Sequence, residues 1–319
     1  MEGAMKWVKR GRVFDPSRDR RRWYTTFGQA PATLILEDRV RVYFSARPDP
    51  DVNGQFVSYT GFLDLDRDDP TIILDVSEKP ILDLGDIGMF DEFGIYPTSV
   101  IAEGDQLRAY YGGWTRCTSV PFNVAIGLAE STDGGQTFSR VGKGPVVSYS
   151  PDEPFVISGP KIRRFGGLWV LYYIAGRQWV LDNGRPEPVY KIRMAVSDDG
   201  INWAKENRDL IAPVLGELEA QASPDVQYFD GLYHMFFCYR HGTDYRNGER
   251  GYRIGYAFSG DGFNWERSDD QAGITVSDEG WDAEMVCYPH VFALDGKIFM
   301  LYIGNGVGRE GFGLAERVE

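Results

Sequence analysis

Five prolines set the frame of this chain. Pro31, Pro97, Pro160, Pro224 and Pro289 stand at intervals of 66, 63, 64 and 65 residues. Each opens a short apolar run, as in QAPATLIL, IYPTSVIA, SGPKIRRF, ASPDVQYF and CYPHVFAL. A polar two-residue turn follows, and Asp230-Gly231 is the clearest example. Such a turn between apolar runs signals a β-hairpin. A second aromatic run then completes each pair: VRVYFSAR, LRAYYGGW, LWVLYYIAG, LYHMFFCYR and KIFMLYIGN. Proline is tolerated at the first position of a strand, where its missing N–H costs nothing.

The second half of the repeat is equally regular. VAIGLAESTDGGQTF, IRMAVSDDGINW and YRIGYAFSGDGFNW each predict a third strand, a Ser-x-Asp-Gly turn and an aromatic that opens a fourth. Asp133, Asp199 and Asp261 fit the tight turns themselves, and Phe138, Trp203 and Trp265 fit blade packing. In the last unit FGLAER repeats IGLAES, and the sequence then ends without a fourth strand. Trp7 lies 24 residues before Pro31, as Trp265 lies 24 before Pro289, so residues 6–14 are expected to close the last unit. Five four-stranded units closed by the chain ends define an all-β, five-bladed β-propeller spanning residues 1–319 as one domain. A sixth blade lacks the residues to build it, and a β-sandwich would not need the regular interval.

Aromatics make up 14% of the 319 residues and glycines number 38, which suits strands and tight turns. The net charge of −13 disfavours nucleic acid or an anionic membrane as partner. No run is long enough to span a bilayer and MEGAMKWVKRGRVF has no apolar signal core, so a cytoplasmic protein is expected. Cys117, Cys238 and Cys287 form no metal-type spacing, and no metal or cofactor is expected.

In a propeller the lead-in to strand one and the exit from strand two fall on one face. Five residues before each proline stand Thr26, Glu92, Phe155, Glu219 and Glu284, thickened by Asp91, Asp152, Glu153, Glu217 and Asp282. At the strand-two exits stand Arg47, Arg116, Arg177 and Arg240, with Asn305 in the fifth unit. Glycoside cleavage commonly needs one protonated and one ionised carboxyl. Glu219, Glu284 and Glu92 are therefore the candidate catalytic groups, with Glu219→Gln expected to abolish turnover and leave folding nearly intact. The same acids and arginines would alternatively pair between blades and hold the ring. Candidate substrate contacts are Arg47, Arg116, Arg177 and Arg240, with His241, His290, Trp114, Trp179, Tyr96 and Asp225. Two long exit loops also bring Tyr245 and Arg246 to this face, and Trp281 adds another aromatic surface. Flat aromatics beside forked donors suit a sugar, and the number of arginines points to an anionic one.

With this register, the chain resembles the five-bladed propeller glycosidases: glycoside hydrolase family 43 and the related families 32, 62 and 130. GWDAEMVCYPHVF and GFGLAE also resemble family-43-like proteins that accompany bacterial surface-polysaccharide genes. The resemblance implies a carbohydrate substrate and hydrolysis by paired carboxylates. It also implies acids before the blade-one and blade-two prolines and in a Glu-Gly-Pro run of blade three. Here those places hold Ala30, Tyr96 and Ser158-Gly159-Pro160, so none of the family's acids carries over. ESTDGGQTF resembles the structural Asp-box turn of sialidases. Phosphorolysis, in which arginines bind phosphate and one acid suffices, and sugar binding without turnover remain the alternatives to hydrolysis.

Overall fold

The computed structural model describes residues 4–19, 21–246 and 248–318. Five four-stranded antiparallel sheets follow one another around a central axis. Blade 1 is Thr26–Ile35, Arg39–Arg47, Tyr59–Asp66 and Ile73–Val76, from the axis outward. Blade 2 is Gly94–Glu103, Gln106–Arg116, Phe122–Ser131 and Ser139–Arg140. Blade 3 is Phe155–Phe165, Leu168–Asp182, Arg185–Ser197 and Ala204–Lys205. Blade 4 is Ala220–Phe229, Leu232–Arg240, Arg253–Ser259 and Glu266–Arg267. Blade 5 is Cys287–Leu294, Lys297–Ile303 and Phe312–Val318, completed by the N-terminal strand Lys6–Phe14. That strand pairs Lys6 with Val318 and Phe14 with Phe312, the closure expected from the displaced Trp7 register.

The prolines differ from the expectation in one respect. They lie inside the inner strands, not at their first positions. The pairing register shifts at every one of them, between Gln29 and Ala32, Ile95 and Thr98, Ser158 and Lys161, Ala222 and Asp225, and Cys287 and His290. A bulge leaves a residue unpaired, so the missing N–H does no harm there. The bulge also re-aims side chains. Ala32, Thr98, Lys161, Asp225 and His290, which follow the prolines, are all buried. The Asp230-Gly231 turn has φ of 52° and 79°, the left-handed pair that a two-residue hairpin requires.

The Ser-x-Asp-Gly turns hold neighbouring blades together. Tyr43 Oη donates to Gly135 O at 2.9 Å, Tyr110 Oη to Gly200 O at 2.8 Å, and Tyr172 Oη to Gly262 O at 2.8 Å. In each case a second-strand tyrosine reaches the turn of the next blade. Within the turn, Asp199 Oδ1 accepts from the N–H groups of Ile201 and Asn202, both at 2.8 Å. Asp261 does the same with Phe263 and Asn264. No helix among the described residues is long and apolar enough to cross a membrane.

Candidate functional site

Four acids that lead into the inner strands, Asp91, Glu153, Glu219 and Asp282, are buried in ion pairs. Glu219 is fully buried, and its carboxylate accepts from Val214 N at 2.8 Å, Leu215 N at 2.9 Å, Gln221 Nε2 at 2.8 Å and Arg267 Nη1 at 2.7 Å. Burial pushes its pKa up, but the bonds from Gln221 and Arg267 outweigh this and hold it below the usual carboxylate range. A general acid needs the opposite shift. Its counterparts are each held by a cation and a tyrosine. Asp91 meets Arg140 at 2.8 Å and Tyr111 Oη at 3.0 Å. Glu153 meets Lys205 at 2.5 Å and Tyr173 Oη at 2.8 Å, and Asp282 meets Lys9 at 2.7 Å and Tyr302 Oη at 3.0 Å. Arg140, Lys205, Arg267 and Lys9 all sit on or beside the outermost strand of their own blade. Each acid therefore ties the lead-in of a blade to its outer edge.

The other two expected acids stand outside this ion-paired set. A fixed offset of five residues selects Glu92 and Glu284, whereas the structural equivalents of Glu219 are Asp91 and Asp282. Glu92 accepts from Gly88 N at 2.9 Å, and Glu284 is exposed. Neither lines the cavity described next.

A cavity of about 590 Å³ opens at the end of the channel reached by the strand-two exits. Of the expected substrate contacts it gathers Arg47, Arg116, Arg240, Trp114 and Tyr96. The remainder lie elsewhere. Arg177 is exposed and donates to Asp152 O at 2.7 Å. Trp179 packs edge-on against Phe122, with centroids 5.6 Å apart. His241 is half-buried beside the loop that returns to Arg250. Trp281 stacks on Tyr302. Asp225 and His290 follow the bulged prolines, so they are buried in the channel below. There the Thr33 N–H donates to His290 Nε2 at 2.9 Å. The ring proton is therefore on Nδ1, 2.9 Å from Asp225 Oδ2, which accepts it. Burial and the nearby Lys161 ammonium push the His290 pKa down to about 4, so this ring stays neutral.

The lining also contains residues that no repeat pattern marked. Phe27, Phe56, Tyr190, Tyr252 and Tyr288 add to Tyr96 and Tyr245 in an aromatic wall. Arg185 and Arg246 converge on Glu187, at 3.1 Å and 2.5 Å, and Tyr245 Oη donates to it at 3.1 Å. Glu187 is the one carboxylate among the described lining residues, against five arginines. In a chain of net charge −13, this cavity inverts the local charge. Two of the arginines have no carboxylate partner among the described residues. Arg240, 1% exposed, donates to His241 O at 2.8 Å and Pro188 O at 3.0 Å, with its guanidinium 3.8 Å from the Tyr245 ring. Arg47 stacks on Phe27 at 4.5 Å, and its Nε finds no acceptor. Burial pushes the phenols of Tyr96, Tyr245, Tyr252 and Tyr288 upward, so they enter the cavity as protonated donors. Among the described residues, no group of three His, Cys, Asp or Glu side chains is placed to hold a metal ion.

The fold is that of a five-bladed β-propeller, shared with solved glycoside hydrolases. Solved structures with the same fold include a family-43 thermostable glycoside hydrolase (TM-score 0.67, 15% identity, 92% of this chain and 90% of that one). They also include a structure named simply as a glycoside hydrolase (TM-score 0.73, 15% identity, 98% and 92%). A third comes from the GH130 family of mannoside phosphorylases, which contains glycoside hydrolases that target β-1,2 mannosidic linkages in Candida mannan (TM-score 0.71, 14% identity, 98% and 94%). No family model matches the chain. By sequence, the chain belongs to the same family as the uncharacterized protein Rv1502 of Mycobacterium tuberculosis (strain ATCC 25618 / H37Rv), with which it is 37% identical over 312 residues, 98% of this chain and 99% of that one.

Proposed function

We propose that this protein acts on an anionic carbohydrate held in the five-arginine cavity, with Glu187 as its proton-transferring carboxylate. The observation that carries the reading is the charge inversion: five arginines and one acid line the cavity of an acidic chain. A guanidinium fork pairs in bidentate fashion with carboxylate or phosphate, and a phenol wall offers both stacking faces and hydroxyl donors. The glycoside-hydrolase type of fold supports a sugar as the carrier of that charge.

Hydrolysis by two flanking carboxylates is not the chemistry favoured here, because the described lining supplies one. A single acid beside several arginines suits phosphorolysis: the acid protonates the leaving oxygen and arginines bind the attacking phosphate. Incubating the protein with acidic oligosaccharides, with and without inorganic phosphate, tests this by product analysis. Phosphate-dependent release of a sugar phosphate that is lost in Glu187→Gln is the expected result. Phosphate-independent cleavage, or turnover retained in that variant, would count against it. The second reading, recognition without turnover, is favoured by one observation. Glu187 is 3% exposed and already accepts from three donors. Tight binding with no product under either condition would select it.

A further inference from the structure

The cavity's charge is not spread evenly. Arginines enter it from the strand-two exits of blades 1, 2 and 4. In a five-membered ring, blade 4 lies across from the boundary between blades 1 and 2, so the cavity has two poles. At the blade-4 pole, Arg240 is enclosed by Tyr190, Tyr245 and Tyr252 and spends its Nη groups on backbone carbonyls. Arg185 and Arg246 are matched there by Glu187. The blade-1 pole is different. Arg240 also lacks a carboxylate and leaves its Nε without an acceptor, but its Nη groups are bonded, whereas no side-chain nitrogen of Arg47 has an acceptor among the described residues. Arg309 approaches the same Phe27 ring as Arg47, at 5.9 Å against 4.5 Å for Arg47. Two like charges thus flank one ring, and no carboxylate of the described residues answers them. Arg116, from blade 2, donates to Phe56 O at 3.0 Å and reaches its nearest acid, Asp51, only at 3.9 Å.

The rest of this pole is built of donors. Tyr96 from blade 2 and Tyr288 from blade 5 lie 6.2 Å apart by ring centroid, on either side of blade 1. Both phenols line the same cavity as Arg47. The bulges at Pro97 and Pro289 fix where these two rings stand, since each immediately precedes its proline. The Phe27 and Phe56 ring centroids lie 4.5 Å and 5.6 Å from the Arg47 guanidinium carbon, with the two rings edge-on to each other. A partly buried cation without a partner is costly in a scaffold. The cost is offset when a ligand brings the opposite charge.

From this asymmetry we propose that Arg47, Tyr96 and Tyr288 form the subsite for the sugar's anionic substituent, a carboxylate or a phosphate, and so set charge specificity. The ligand then runs across the aromatic wall with its uncharged hydroxyls toward Glu187, Arg185 and Arg246. This rests on the reading of the cavity as an anionic-carbohydrate site and adds the ligand's orientation to it. Arg47 is a binding group here, and Glu187 remains the proton-transfer group.

The test is binding of the wild-type protein, Arg47→Gln and Arg47→Lys to a printed array of uronic, nonulosonic and phosphorylated glycans, each beside its neutral counterpart. Unfolding midpoints are measured on all three proteins. Loss of a charge-assisted pair predicts that Arg47→Gln weakens acidic-glycan binding by about 10- to 150-fold. Neutral-glycan binding should stay unchanged, and Arg47→Lys, which keeps charge without the fork, should fall between. Uronic and phosphorylated arms show which anion is preferred. If wild type and Arg47→Gln bind acidic glycans equally, or if acidic and neutral binding fall together, the subsite is refuted and the cavity reading stands. If the wild type binds only neutral glycans, or none, both are refuted. Should Arg47→Gln not fold, the same comparison is read from Arg47→Lys and from Tyr288→Phe, which removes one donor of the subsite.

Discussion

Replacing Glu219 by glutamine should unfold blade 4 more readily and not act first on chemistry. The reason lies in the four donors that converge on the carboxylate. Val214 N and Leu215 N approach one oxygen, while Gln221 Nε2 and Arg267 Nη1 approach the other, all within 2.9 Å. A glutamine amide has one NH2 group, and either orientation sets it against two donors. Arg267, 7% exposed in its side chain, keeps Asp269 at 2.8 Å but loses half of its countercharge. Removing one partner of a buried ion pair typically costs about 3–5 kcal/mol. The assay is equilibrium urea unfolding of wild type and Glu219→Gln. The pH dependence follows from the lowered Glu219 pKa. The stabilisation is complete above the unfolded value of about 4.3 and is lost as pH falls through the lower folded value. The difference between the two proteins should therefore shrink only in strong acid. A variant within about 0.5 kcal/mol of wild type at pH 7 that nevertheless loses ligand turnover would refute this assignment and restore a catalytic role.

Other consequences are open to direct measurement. Phe14 closes the ring against Phe312 and Phe44, at centroid separations of 5.3 and 4.5 Å, so Phe14→Ala should cost about 3–5 kcal/mol in the same unfolding assay. Asp133 accepts from the N–H groups of Gln136 and Thr137 and has a pKa lowered to about 2. Asp133→Ala should cost about 1 kcal/mol near neutral pH, and the two proteins should converge as pH falls through about 2. Cys117 is exposed at the cavity, whereas Cys238 and Cys287 are buried, with the Cys238 thiol pushed up to about 12. One thiol of three should react with a maleimide in the native protein, and a bound saccharide should slow that reaction.

The fold could be read from the chain because a propeller repeats its constraints. A proline marks each inner strand, a tight turn follows, and Trp7 keeps the register of the strand missing from the end. The prolines' place within bulges was not legible, since a bulge depends on the partner strand. The role of the acids was hidden for a geometric reason. Lead-ins to the inner strands differ by one or two residues, so a constant offset mixes the buried Glu219 with the half-buried Glu92 and the exposed Glu284. Their cations were the missing signal: Lys9, Arg140, Lys205 and Arg267 recur near the outer strands, where ion-pair partners of buried acids would be sought. Arginine at the strand-two exit was the better guide, because that position has a fixed direction. It failed at Arg177, where the second strand of blade 3 continues to Asp182 and carries that side chain out to solvent. The same long hairpin, Leu168–Ser197, delivers Arg185, Glu187 and Tyr190 to the cavity. Their arrival depends on how far one hairpin leans over the channel, which no repeat encodes.

On the proposed reading this cavity, and not the ring of buried acids, receives an anionic sugar. A crystal structure of the protein soaked with an acidic saccharide selected from the array tests it most directly. The expected result is the sugar inside the cavity, its anionic group within hydrogen-bond reach of Arg47 and its ring against the aromatic wall. A saccharide seated instead at Glu92 and Glu284, with the Arg47 pole empty, would contradict it.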